Sequence, residues 1–489
     1  MTRRLTSLDG LPDTVARPGY DPEAHGAGIV HIGLGAFHKA HQAVYTDDAL
    51  AEGGGDWRII GVSLRSTAPA EELSPQNGLY TVIEHSAEGT SARVIGAIAQ
   101  ALSLTNDRQA VLDALCDPAT RIVSLTVTEK GYGIDRATGG VDPAHPAISA
   151  DLVDPENPVG IAGLLVWALG RRRELGIEPF TVLCCDNLPE NGTLLRALLV
   201  DFADRTAPGL VGHISAEVAF PSTMVDRITP ARGAGTLALA REMTGHEDAA
   251  AIETEAFRQW VIEDDFPQGR PRWGAGGAIF AADVRPYEEM KLRMLNGAHS
   301  MLAYSGFLAG HRYVRDVMGD AELSALVGRH LDAAAATLAP LAGVDFADYA
   351  QALRDRFANP HLAHETYQIA MDGTEKLPQR IFAPACAALE AGQSLDAFAF
   401  AAAAWMRYAV GRTDAGEAYA LRDPREAAIA ETLEGAEGAG DILSRLMALP
   451  GLFPEALQAS DAWRAAVEAR LRVMLEQGIR AAISAETQG

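Results

Sequence analysis

Short apolar, β-branched runs recur through the first half of the chain, at residues 28–32, 58–64, 122–127 and 180–185. Each ends in glycine or polar residues. Helix-forming stretches fill the gaps, for example residues 161–175 and 192–203. This alternation is the pattern of βαβ units, which fold only by pairing strands into a mostly parallel sheet with helices on its faces. In such a sheet ligands collect at the carboxyl ends of the strands. After about Pro286 the strand signal fades, and Ala/Leu-rich segments of helical period take over at 321–338, 395–408 and 462–484. A Pro/Gly-rich stretch at 266–277 marks the approach to the change. The expectation is an α/β domain over 1–285 and an all-helical domain over 286–489.

A length of 489 residues agrees with two cores rather than one. The formal net charge of −24 argues against a nucleic-acid partner, which needs clustered Lys and Arg. It also means that an anionic ligand must meet a local cationic pocket. Arg3 and Arg4 are not followed by an apolar segment, so no signal peptide is expected. The most apolar stretch, 397–410, is interrupted by Arg407 and is too short to span a bilayer. Cys116, Cys184, Cys185 and Cys386 show no metal-ligand spacing, so no metal is expected and a reducing cytoplasm fits best. No repeat and no oligomerisation signal stands out, which leaves a monomer as the default.

The first strand runs straight into Gly33-Leu34-Gly35-Ala36-Phe37. Two glycines there permit a tight turn and let backbone N–H groups approach a pyrophosphate, the arrangement of a dinucleotide site. The third glycine of that fingerprint is absent, and His38 stands in its place. An ordinary strand-to-helix turn would use the same residues. The second strand ends in Leu64-Arg65-Ser66-Thr67, without the Asp or Glu that would grip a ribose hydroxyl. Arg65 therefore faces a 2′-phosphate, lies along an adenine, or is simply solvated, and NAD versus NADP stays open.

Residues 286–300 concentrate polar groups among leucines. At about 100° per residue and Lys291 at zero, Glu288 falls near 60°, His299 near 80° and Asn296 near 140° on an ideal α-helix. Polar groups buried on one face need partners, so this face lines a polar network or a substrate pocket. A desolvated lysine there would serve as a base near neutral pH. A solvated lysine and a satisfied core histidine are the plain alternative. Residues 186–192 close the fourth strand and would bring Asp186 and Asn187 to the sheet's carboxyl edge, with Asn191-Gly192 read as a turn or cap.

Taken together, the segments 33–41, 124–132, 185–192, 224–230, 257–264 and 291–299 resemble the mannitol dehydrogenase family, the polyol-specific long-chain dehydrogenases. The resemblance spans nearly the whole chain. It implies a Rossmann-type N-terminal domain, an all-helical C-terminal domain, catalysis between them without zinc, and NAD(P)-dependent oxidation of a CH–OH group. Carried over by position, it implies Lys291 as the acid/base and Asn187 and Asn296 as the pair holding the reacting oxygen. His299 would contact a substrate hydroxyl, and Glu288 would relay protons. The cofactor would meet Gly33, Leu34, Gly35, Ala36, Phe37, Arg65, Thr128 and Asp226. Segments 128–132, 290–297 and 368–380 are more similar to the family's uronate branch, the fructuronate reductases. A hexuronate carries a carboxylate, which suits an Arg fork or a Lys. Lys376 and Arg380, four apart, would present two cations, with Gln368 in the same segment; surface charges are the alternative. The implied substrate is a small sugar acid or polyol.

Overall fold

The computed structural model describes residues 3–135, 138–361 and 364–488. The chain divides into two compact units, Met1–Arg285 and Pro286–Gly489.

The first unit is built on five strands: β1 (Ala27–Ile32), β2 (Arg58–Ser63), β3 (Ile98–Ser103), β4 (Ile122–Leu125) and β5 (Thr181–Cys184). Every pairing between them is parallel, and their order is β3-β2-β1-β4-β5. This is the doubly wound arrangement, and the strand order reverses between β1 and β4. Ile29, Val30, Ile32, Val123 and Leu125 are completely buried, as strands covered on both faces require. On one face, α3 (Ile161–Leu175) and α4 (Asn191–Thr206) join a core with Val30, Ile32 and Val182. On the other, α2 (Gln42–Gly53) packs with Trp260 and Trp273 over Ile29 and Leu183.

A smaller three-stranded sheet carries β6 (Thr223–Asp226) and β7 (Gln259–Glu263), paired antiparallel with Asp226 opposite Gln259. Asn191, read from the sequence as a turn or cap, is the first residue of α4 and a buried clasp: its amide accepts from Thr223 N (2.9 Å) and donates to Thr223 O (2.8 Å) and Asp186 O (3.1 Å). Gly192 is needed beside it, because a Cβ there would sit 2.2 Å from Phe220 O.

All regular elements of the second unit among the described residues are helices. At its centre, α5 (Gly297–Leu308) packs against α6 (Ala321–Ala336) and α7 (Asp396–Ala409). The run Phe398–Ala409 is buried throughout, as befits a helix apolar all round. The single helix expected over 462–484 is instead two, α8 (Asp461–Glu476) and α9 (Ile479–Gln488). Gly478, at φ +86°, breaks it.

Two segments of the second unit depart from the α-helix: Lys291–Asn296 and Pro378–Phe382 are π-helical. Each closes with an i→i+5 bond, Gly297 N–H to Leu292 O and Ala383 N–H to Pro378 O. The two wide turns pack against each other. A Cβ on Gly297 would lie 2.9 Å from Arg380 O and 3.0 Å from His330 Nε2, so only glycine allows that approach without displacement.

Candidate active site

In the first unit, the glycine turn sits at the carboxyl end of β1, at the point where the sheet order reverses. Gly33 holds φ +107°, and a Cβ there would fall 2.1 Å from Thr126 O. Gly35 is the opposite case: its Cβ would meet nothing nearer than Gly33 O at 3.7 Å. A cavity of about 660 Å³ opens here, walled by Gly33, Leu34, Gly35, Arg65, Thr128 and Lys130 among others. Among the described residues, no Asp or Glu lines it. In a chain of net charge −24, a cavity bearing Arg65 and Lys130 and open space above a glycine fits an anionic dinucleotide.

The remaining expected cofactor residues are more scattered. Arg65 and Gly35's neighbour Ala36 lie at or near the surface, with Arg65 exposed. Phe37 stacks on His41 at 5.0 Å. Asp226 is buried at the end of β6, in the field of His41, and is not part of the cavity wall among the described residues. Thr128 has φ +68°, which is rare for a β-branched residue.

The missing third glycine has a structural substitute. His38 is buried and stacks face to face on His31 of β1, ring centroids 3.4 Å apart and planes 14° from parallel. His31 is tied to Ser124 Oγ (2.8 Å) and Thr126 Oγ1 (2.9 Å), and Ser124 donates to Gln42 Oε1 (2.8 Å). Helix and strand are thus joined through stacked rings where the fingerprint would use a bare backbone. Burial holds all three imidazoles neutral: His31 and His41 are each pushed down to about 3, and His38 well below its ordinary value.

Asn187 is exposed on the loop that follows β5. Asp186 before it is turned inward, accepting from Val127 N (2.8 Å), Thr128 N (3.2 Å) and the Tyr132 hydroxyl (2.6 Å). Burial raises its carboxyl above the ordinary range, against the lowering effect of these donors.

In the second unit, Lys291 opens the first π turn and is 8% exposed. The turn changes the geometry expected from an α-helix. Residues five apart, not four, are stacked by its hydrogen bonding, so Asn296 lies one wide turn above Lys291 rather than 140° round the helix. His299, three residues further on α5, is also 8% exposed, and its Nε2 has no hydrogen-bond partner among the described residues. Its ring packs on Phe357 (4.5 Å) and meets His364 edge-on (5.3 Å). Burial first, then the fields of His364, Arg356 and Arg380, hold it neutral. Glu288 lies half-buried one turn before Lys291.

The second π turn carries Arg380. Its guanidinium is half-buried, and among the described residues its hydrogen bonding is confined to Ser300 Oγ at 3.4 Å. Four further N–H donors remain for a ligand. Lys376 differs: its ammonium donates to Met371 O (2.5 Å) and Ile369 O (3.3 Å) and pairs with Asp372 (3.5 Å). Much of it is therefore committed to the protein, although its field reaches both Arg380 and His364. Gln368 is exposed on helix Thr366–Ala370. Sequence reasoning passed over Arg356 and His364, which lie about His299; no periodic signal distinguishes them from ordinary helix and loop residues.

Comparison with known proteins places this geometry. Residues 27–275 match the mannitol dehydrogenase Rossmann domain, and residues 283–475 match the mannitol dehydrogenase C-terminal domain. The D-mannonate oxidoreductase of Escherichia coli (strain K12) is 43% identical over 476 residues, covering 96% of this chain and 98% of that protein. A mannitol 2-dehydrogenase of Cereibacter sphaeroides is 40% identical over 477 residues, covering 94% and 99% respectively. The Pseudomonas fluorescens mannitol 2-dehydrogenase, solved as a ternary complex with NAD and D-mannitol, matches with a TM-score of 0.81 and 37% identity, covering 100% of both chains. No helix among the described residues is long and apolar enough to cross a membrane. The chain belongs to the mannitol dehydrogenase family and is an oxidoreductase.

Proposed function

We propose that the substrate is a hexuronate and that the reaction is D-mannonate + NAD⁺ ⇌ D-fructuronate + NADH + H⁺. The observation that carries this reading is Arg380: a half-buried guanidinium with one long hydrogen bond, whose charge is felt by both His299 and Lys376. Burial disfavours a guanidinium with unused donors, an anion would relieve it, and a planar carboxylate matches its fork. A hexose or hexitol has no carboxylate to offer.

In this reading Lys291 is the acid/base. Buried at 8% exposure, it accepts the hydroxyl proton during oxidation and returns it during reduction. Asn187 and Asn296 hold the reacting oxygen with their amide N–H groups, which steadies negative charge as it develops. His299, neutral and with Nε2 uncommitted, bonds a substrate hydroxyl. Glu288 exchanges the lysine's proton with solvent. Gly33, Leu34, Gly35, Arg65 and Thr128 hold the dinucleotide, whose nicotinamide supplies or takes up the hydride when bound. The four cysteines are free thiols, in keeping with a cytoplasmic setting.

The second reading is interconversion of mannitol and fructose, favoured by the likeness to an enzyme solved with D-mannitol. Initial rates with NADH on D-fructuronate and D-fructose separate the two. A higher kcat/KM on fructuronate is expected; a preference for fructose would overturn the hexuronate assignment.

A further inference from the structure

Asp186 joins two loops that the strand ends leave independent. Its carboxylate takes the N–H groups of Val127 and Thr128, at 2.8 and 3.2 Å, and the hydroxyl of Tyr132 at 2.6 Å. The Tyr132 hydroxyl also lies 3.2 Å from Cys184 Sγ, at the end of β5. Residues 126–128, 130 and 131 form one wall of the dinucleotide cavity. Thr128 stands in that wall at φ +68° and ψ 153°, a region normally left to glycine, and persists only if its surroundings hold it. On its other side Asp186 leads directly to Asn187, and its own carbonyl is gripped by Asn191, which is clasped to Thr223. One half-buried carboxylate therefore sets the wall that faces the cofactor against the loop that carries Asn187.

We propose that Asp186 is a positioning residue, which keeps the Thr128 wall and Asn187 in a single register for NAD binding and turnover. The turnover half rests on the reading of Asn187 as an oxygen-holding amide; the NAD-binding half does not. Asp186→Asn removes the charge and sets an amide NH2 where one carboxylate oxygen accepted, which strands at least one of the three donors and frees Thr128 to leave its unfavourable conformation. Tyr132→Phe removes one of the three bonds and leaves both backbone N–H groups served.

The test is NADH titration of the full-length protein by fluorescence, with kcat, KM and melting temperature measured beside it. For Asp186→Asn, NADH Kd should rise by about tenfold or more, the size expected for losing bonds to a charged group, and kcat should fall by a similar factor. Tyr132→Phe should raise Kd by roughly threefold, a partial loss of the same bonding. A merely structural role would lower the melting temperature and leave Kd and kcat of the folded protein alone. Folded Asp186→Asn with both values within about twofold of the parent overturns the proposal. If that variant does not fold, an unchanged Kd in Tyr132→Phe overturns it instead. A raised Kd with normal kcat supports the cofactor half and removes the Asn187 half. Normal turnover in Lys291→Ala would defeat the reaction reading without touching the Kd result.

Discussion

The buried imidazoles beside the glycine turn predict a specific weakness to acid. His31 and His41 titrate near 6.5 when unfolded and are held at about 3 in the fold by burial; His38 is also held well below its ordinary value. A depressed histidine binds its proton only in the unfolded chain, so its neutral form supports the fold fully above pH 6.5. That support is lost as pH falls from there towards 3. Between pH 7 and 5 each such group costs about 2 kcal/mol, from the proton the unfolded chain takes up. His31 and His41 together cost about 4 kcal/mol, and His38 adds to this in the same direction, a large part of the roughly 5–15 kcal/mol that stabilises a domain. Carboxyls raised by desolvation, the buried Asp47 and Asp151 and the half-buried Asp186, work in the opposite direction, taking up protons first in the native state. The assay is amide hydrogen exchange by mass spectrometry over β1 and β4, read as the free energy of opening at the two pH values. Loss of at least about 2 kcal/mol of protection is expected, and His41→Asn should recover about 2 kcal/mol of that pH dependence. Opening energies that agree at pH 7 and pH 5 would refute the argument that these rings stay neutral.

The two glycines of the turn should fail differently. Gly33→Ala forces a side chain onto Thr126 O at positive φ and should lower the melting temperature, whereas Gly35→Val should leave stability nearly unchanged and raise NADH Kd by about tenfold or more, as both calorimetry and titration can show. Lys291→Ala should cut kcat by about 10²–10⁴ while NADH Kd stays near the parent value, measured by steady-state rates and titration. Arg380→Ala should raise KM for fructuronate by about tenfold or more and leave KM for fructose within about twofold; equal weakening of both would remove the carboxylate argument.

The parallel sheet was legible because β-branched runs buried on both faces leave an unmistakable pattern, and helix Ile161–Leu175 has the bounds that its periodicity implies. The expected strand at 122–127 stops at Leu125, since Thr126 still bonds Ile32 O but the chain then turns towards Asp186. The wheel drawn from Lys291 fails for a different reason. No composition rule announces an i→i+5 turn; it arises from tertiary packing, here the approach of Gly297 to the backbone at Arg380. His38 is similar. A missing glycine reads as a weakened fingerprint until the partner ring of His31, on the neighbouring strand, is seen beneath it. Lys376 and Arg380 look alike as a pair of cations four apart, and only local backbone carbonyls distinguish the committed one from the available one.

A π turn is one residue more than an α-helix needs, and that surplus gives the segment a definite length. Cutting any single residue from Lys291–Asn296 would let the backbone relax into ordinary helix without breaking the chain's course. Everything beyond it, His299 and Ser300 included, would keep nearly the same bearing about the helix axis, because five α-helical residues turn about as far as the six of the π segment. The extra residue therefore sets how Lys291 and Asn296 stand to each other and leaves the direction of α5 as it is.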